Sequence, residues 1–98
     1  MTTETISVCG GEITYLHEGS GEPLLVLPRD NGHAPDTAFI ERLAERFSVY
    51  YPWLPGFHGS RPEEWTWLLH VRDLAIVVGH FCAALEVSRT RLLGLGFG

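Results

Sequence analysis

Gly94-Leu95-Gly96-Phe97-Gly98 has the spacing of a Gly-x-Ser-x-Gly nucleophile turn, with glycine in the place of the serine. In such a turn a strand runs into a helix so sharply that side chains two residues either side of the nucleophile would collide. Gly94 and Gly98 fill those flanking positions. The central residue takes a backbone conformation that costs a non-glycine residue about 1–3 kcal/mol. Gly96 removes the strain and the hydroxyl together. The frame is kept and its nucleophile is not.

A Gly-x-Gly-x-Gly run after a strand also admits a second reading, a dinucleotide-binding turn in which glycines let a pyrophosphate approach a helix N-terminus. The spacing departs from Gly-x-Gly-x-x-Gly, and several elements precede it where that fingerprint usually follows the first strand of its unit. The nucleophile-turn reading is preferred.

The other chemistry-bearing residues fall in two loops. Asp30 and His33 lie in the polar stretch 28–35, and His58 lies in the Pro- and Gly-punctuated stretch 53–61. Together they suggest an acidic-ligand or metal site. The plainer alternative is a solvated Asp30-Asn31-Gly32 turn with two surface histidines, since two His without a clear third ligand do not define a metal centre. No metal and no cofactor is expected. His70 and His80 fall on a helical pattern as partly exposed positions, while Trp53, Trp65 and Trp67 gather around the second loop, with core packing favoured over a pocket rim. Cys9 and Cys82 have neither a CxxC partner nor ligand spacing, and both read as small buried hydrophobes in a reducing cytosol.

The elements that must position these loops follow from periodicity. Runs 5–9 and 12–17 read as two strands joined at Gly10-Gly11, a hairpin signal because both turn residues tolerate positive φ. Pro23 to Leu27 has no polar alternation and reads as a strand covered on both faces. Asp36 is placed to cap a helix with an apolar stripe of Phe39, Ile40, Leu43 and Phe47, and Phe47 to Tyr51 reads as the next strand, closed by Pro52. Ser60-Arg61-Pro62-Glu63 fits a capping box. A longer helix is expected from about Leu69 to Leu85, with Val71, Leu74, Val78, Phe81, Cys82 and Leu85 inward, before a buried final strand from Arg91 to Leu95. A hairpin followed by strand–helix–strand–helix–strand predicts an α/β layered, mostly parallel sheet. Ligand groups in such a fold lie at the carboxyl ends of the strands, where the loops 28–35, 53–61 and 96–98 emerge.

In this arrangement the chain resembles the N-terminal part of an α/β-hydrolase fold, over nearly all of its length. Leu54-Pro55-Gly56-Phe57-His58-Gly59-Ser60 is similar to that superfamily's Asp-x-x-Gly-x-Gly-x-Ser stretch, with Trp53 where the family usually has Asp, and Gly94 to Gly98 is similar to its nucleophile elbow. The resemblance implies a partial domain spanning residues 1–98 and ending at the elbow. It implies a parent similar to hydrolases of small apolar esters, amides or carbon–carbon bonds, with Gly96 at the nucleophile position and Asp30, His33, His58 and Phe97 at pocket or oxyanion-loop positions. Related hydrolases usually carry His-Gly-x after the third strand, and a backbone N–H in that loop helps bind the oxyanion. Here proline at 28 offers no N–H, and a carboxylate at Asp30 facing the pocket would oppose a developing negative oxygen. The acid and histidine of a triad come later in chain order than the elbow, so these residues alone are expected to be inactive. A non-catalytic small-molecule binding or interaction protein, or an inactive truncated gene product, is the alternative.

Ninety-eight residues suit one small domain or a piece of a larger one, and a 45% hydrophobic fraction is that of an ordinary globular chain. A net charge of −5 with no lysine argues against a nucleic-acid partner. No apolar run approaches the ~20 residues of a membrane span, and Met1-Thr2-Thr3-Glu4 lacks the basic start of a signal peptide, so a cytoplasmic location without a membrane partner is expected. The final strand would be left as an apolar edge, from which self-association of the isolated chain is expected.

Overall fold

The structure, a computed structural model, describes residues 2–27, 37–53 and 71–94. It begins with a hairpin of β1 (Thr2–Val8) and β2 (Gly11–Glu18), antiparallel from Thr2↔His17 to Val8↔Gly11. The two turn residues are Cys9 and Gly10, with φ of 53° and 85°. The turn therefore sits one residue earlier than the Gly10-Gly11 pair suggested. Gly11 belongs to β2 and is buried. The core enforces this register, because β2 must send Ile13 and Tyr15 inward together, and a one-residue slip would turn both outward. Cys9 accordingly takes the left-handed conformation and is exposed rather than buried.

β3 (Glu22–Leu27) is buried at Leu24, Leu25 and Val26, as its unbroken apolar run predicts. Alternation divides it between two cores. Leu24 and Val26 join Leu16, Ile40, Val49 and Tyr51 on one face, whereas Leu25 joins Val8, Ile13, Tyr15, Val77 and Phe81 on the other. Ahead of β3, the chain turns through Gly19 at φ 86°, pressed against the turn that leads into β4. A Cβ on Gly19 would overlap the carbonyl oxygens of Ala44 and Phe47, so only glycine fits this crossing.

The first helix, α1 (Thr37–Leu43), buries Ile40 at 1% exposure and half-buries Leu43. Phe39 is 37% exposed and lies off the stripe. Phe47 is not helical: the Arg46 N–H bonds Leu43 O at 3.1 Å, a tighter closing turn, and Phe47 opens β4 (Phe47–Pro52). The second helix, α2 (Val71–Ala84), fully buries Val77 and Phe81, while Val78, Cys82 and Leu85 pack as partly buried neighbours. The inward stripe is thus centred nearer Val77 than expected. Ile76, inside the same apolar run, points out at 51% exposure. The helix ends in a Schellman motif: Val87 N–H bonds Cys82 O at 2.9 Å, Glu86 N–H bonds Ala83 O at 3.0 Å, and Glu86 takes φ 61°. The expected helix caps at Asp36 and Ser60 lie outside the described residues.

β5 (Arg91–Gly94) completes a sheet of order β1-β2-β4-β3-β5. β2 and β4 are antiparallel, and β4, β3 and β5 run parallel. From β3 the chain crosses one way to β4, then returns past β3 to β5. Same-handed crossovers in opposite directions must place their helices on opposite faces, and α1 and α2 indeed serve the two separate cores. β5 departs from the expected buried strand. Leu92 is 63% exposed and Leu93 half-buried, because among the described residues only β3 pairs with it.

Candidate functional site

The three parallel strands finish level with one another. Leu27 and Gly94 are direct Cα partners, and β4 reaches Pro52, two residues beyond its Leu25↔Tyr50 pairing with β3. Three segments therefore leave one edge of the sheet side by side. These are the run after Leu27 that carries Asp30 and His33, the run after Trp53 that carries His58, and the run after Gly94 that carries Gly96 and Phe97. All five of those residues lie outside the described residues. What the structure supplies is the platform from which each segment starts. Between β3 and β5 the strand order also reverses direction, since β3 connects toward β4 and away from β5. Such a switch point opens a crevice at the carboxyl ends, where α/β folds bind ligands.

The described rim of this edge is aromatic at Trp53. The Trp53 N–H donates to Thr14 O at 2.9 Å, and its ring meets Tyr51 edge-on at 6.0 Å and 79°. Trp53 packs against the core that contains Ile40 and Val49, in keeping with the packing role preferred for it. Trp65, Trp67 and His70 lie outside the described residues, and His80 is exposed on α2.

One pair of side chains looks catalytic and went unremarked in the sequence. His17 Nε2 and Ser48 Oγ lie 2.9 Å apart, and the His17 ring stacks on Tyr50 at 4.5 Å and 6°. A pairing across β2 and β4 at 31 residues' separation leaves no local motif to find. Its position argues for structure rather than chemistry. Ser48 is the second residue of β4, at the amino end of the parallel strands and away from the crevice, and it is only 8% exposed.

Other titratable groups in the core are likewise structural. Tyr15 is pushed up to about 12, first by burial and then by its hydrogen bond to Glu4 Oε2 at 2.8 Å. Burial raises the Cys82 thiol above its usual range, which keeps it protonated and poorly nucleophilic. Among the described residues no three His, Cys, Asp or Glu side chains gather to hold a metal ion, and no described helix is long and apolar enough to cross a membrane.

The sheet order, the mixed pairing and the two helix faces define the N-terminal third of the α/β-hydrolase fold. A membrane phospholipase A, described as a bacterial virulence factor, superposes with a TM-score of 0.86 at 32% identity, over 99% of this chain and 32% of that one. A meta-cleavage product hydrolase gives 0.85 at 20% identity, covering 97% of this chain and 36% of the other. An epoxide hydrolase from Vigna radiata gives 0.82 at 18% identity, over 99% and 32% respectively. The chain spans about a third of the length of the solved structures it matches. No protein-family model matches the sequence, and no curated protein matches it.

Proposed function

We propose that this chain is the N-terminal part of an α/β-hydrolase-fold protein in which Gly96 occupies the nucleophile position. The parent acts on small apolar ester, amide or carbon–carbon substrates without forming an acyl-enzyme through that position. The supporting observation is the Leu27↔Gly94 pairing, which starts the oxyanion-loop segment and the elbow segment from adjacent strand ends. An acyl-transfer site needs those two segments together, the first for N–H donors and the second for the nucleophile. Here the first begins with proline and the second carries glycine. In such a parent Asp30, His33, His58 and Phe97 line a small-molecule pocket, and catalysis proceeds through an activated water or a substrate proton.

A non-catalytic binding protein is the second reading, favoured by the same two departures, which leave a pocket without its acyl-transfer groups. The acidic charge and free cysteines fit a cytoplasmic protein with no nucleic-acid or membrane partner. β5, paired on one side only among the described residues and with Leu92 outward, supports self-association of the chain on its own.

The test is intact-mass analysis after a serine-reactive fluorophosphonate, alongside p-nitrophenyl ester turnover. The expected result is no stoichiometric adduct and no turnover above a heat-treated control, both in the chain as it stands and in Gly96→Ser. A covalent adduct on the unaltered chain would overturn the proposal.

A further inference from the structure

A second concavity lies at the opposite, amino-terminal end of the strands. It is a cleft of about 500 Å³ lined by Glu22, Pro23, Arg89, Thr90 and Arg91. Glu22 opens β3 and Arg91 opens β5, so the cleft straddles the start of the parallel pair. Its charge is unusual for this molecule. In a chain of net charge −5, two of the seven basic residues face one carboxylate here.

The hydrogen-bonding inventory is unbalanced in the same sense. Arg91 meets Glu22 Oε2 through Nε at 3.0 Å. This engages one of its five N–H donors and leaves the terminal nitrogens open. Arg89 has no ion pair and no hydrogen bond among the described residues. The Thr90 hydroxyl is spent on Arg91 O at 2.9 Å, so the free donors of the cleft are guanidinium groups. Two guanidinium charges against one carboxylate leave a deficit of one negative charge.

We propose that this cleft binds a small molecule through a carboxylate group, which completes a two-by-two array with Arg89, Arg91 and Glu22. A carboxylate matches the guanidinium fork in shape, and its single charge matches the deficit. A phosphate dianion would overshoot that balance and face Glu22. Because Arg91 and Glu22 are 67% and 70% exposed, solvent screens each contact, and the affinity expected is millimolar. The inference rests on the amino-end cleft alone and is independent of the chemistry at the elbow.

Saturation-transfer NMR on the full chain, observing propionate and using inorganic phosphate as competitor, tests it and works on monomer or assembly alike. Saturable transfer is expected, weakened about fivefold in Arg89→Ala and in Arg91→Ala, as the loss of one exposed charge-assisted contact implies. Glu22→Gln raises the deficit to two charges, so phosphate should displace propionate more readily in that variant than in the unaltered chain. Transfer that is absent, or unchanged in Arg89→Ala, overturns the site. Phosphate outcompeting propionate equally well with Glu22 in place overturns the assignment to a carboxylate.

Discussion

The two edges of the sheet are built to different standards. At one, β1 and β2 pair along their full length, close through a two-residue turn, and lie under Val77 and Phe81 of α2. At the other, β5 offers four residues, pairs on one side only among the described residues, and holds Leu92 out at 63% exposure. The hairpin edge has found its apolar partners within this sequence. The β5 edge has the composition of a buried strand without the burial. That difference marks β5 as the less complete edge among the described residues.

Substituting one apolar residue from each region measures the contrast directly. Phe81→Ala should cost about 3–5 kcal/mol, because it removes a fully buried ring that sits edge-on to Tyr15 at 5.3 Å. Leu92→Ala should change stability by less than about 0.5 kcal/mol, as exposed positions do. Urea unfolding followed by circular dichroism at low protein concentration reads both, and comparable losses would mean that β5 is buried in solution.

Alkaline pH probes the hairpin side a second way. Tyr15 titrates near 12 rather than 10, so the folded state favours its protonated form. The corresponding stabilisation is fully present below pH 10 and is lost progressively as pH rises through 12. Tyr15→Phe should flatten that part of the stability profile. An unchanged slope between pH 10 and 12 would show that the burial of Tyr15 and its hydrogen bond to Glu4 do not govern it.

A smaller gain is available at the end of α2. Glu86 holds the left-handed position of a Schellman motif that glycine occupies at less cost. Glu86→Gly should raise stability by about 1 kcal/mol, and a loss would show that the Glu86 side chain contributes more than its backbone costs.

How far the sequence could be read depended on what each pattern distinguishes. The unbroken run in β3, the turn glycines and the alternation of strand with helix were enough to predict the α/β sheet, and the resemblance of residues 54–60 and 94–98 to hydrolase motifs supplied its N-terminal hydrolase character. The hairpin turn was misplaced by one residue because Cys9 is not a residue type expected at positive φ, and tertiary packing set the register. In α2, Ala75 to Val78 are apolar in succession, so periodicity alone could not tell inward Val77 from outward Ile76. Phe47 suited both a helical stripe and a strand start, and the turn after Leu43 decided it. For the candidate site, the sequence placed Asp30, His33, His58, Gly96 and Phe97 at the carboxyl edge, and the level ends of β3, β4 and β5 supply the common platform from which their segments depart. The His17–Ser48 pair was invisible, since only strand pairing brings it together.

Light scattering coupled to size-exclusion chromatography, run on the chain alone over a hundredfold range of concentration, tests the central claim most directly. A β5 edge unpaired on one side, as it is among the described residues, predicts a mass above 10.9 kDa that rises with concentration. A constant 10.9 kDa monomer throughout the range would mean that the exposed side of β5 drives no association, and the account of β5 as an unpartnered edge would be wrong.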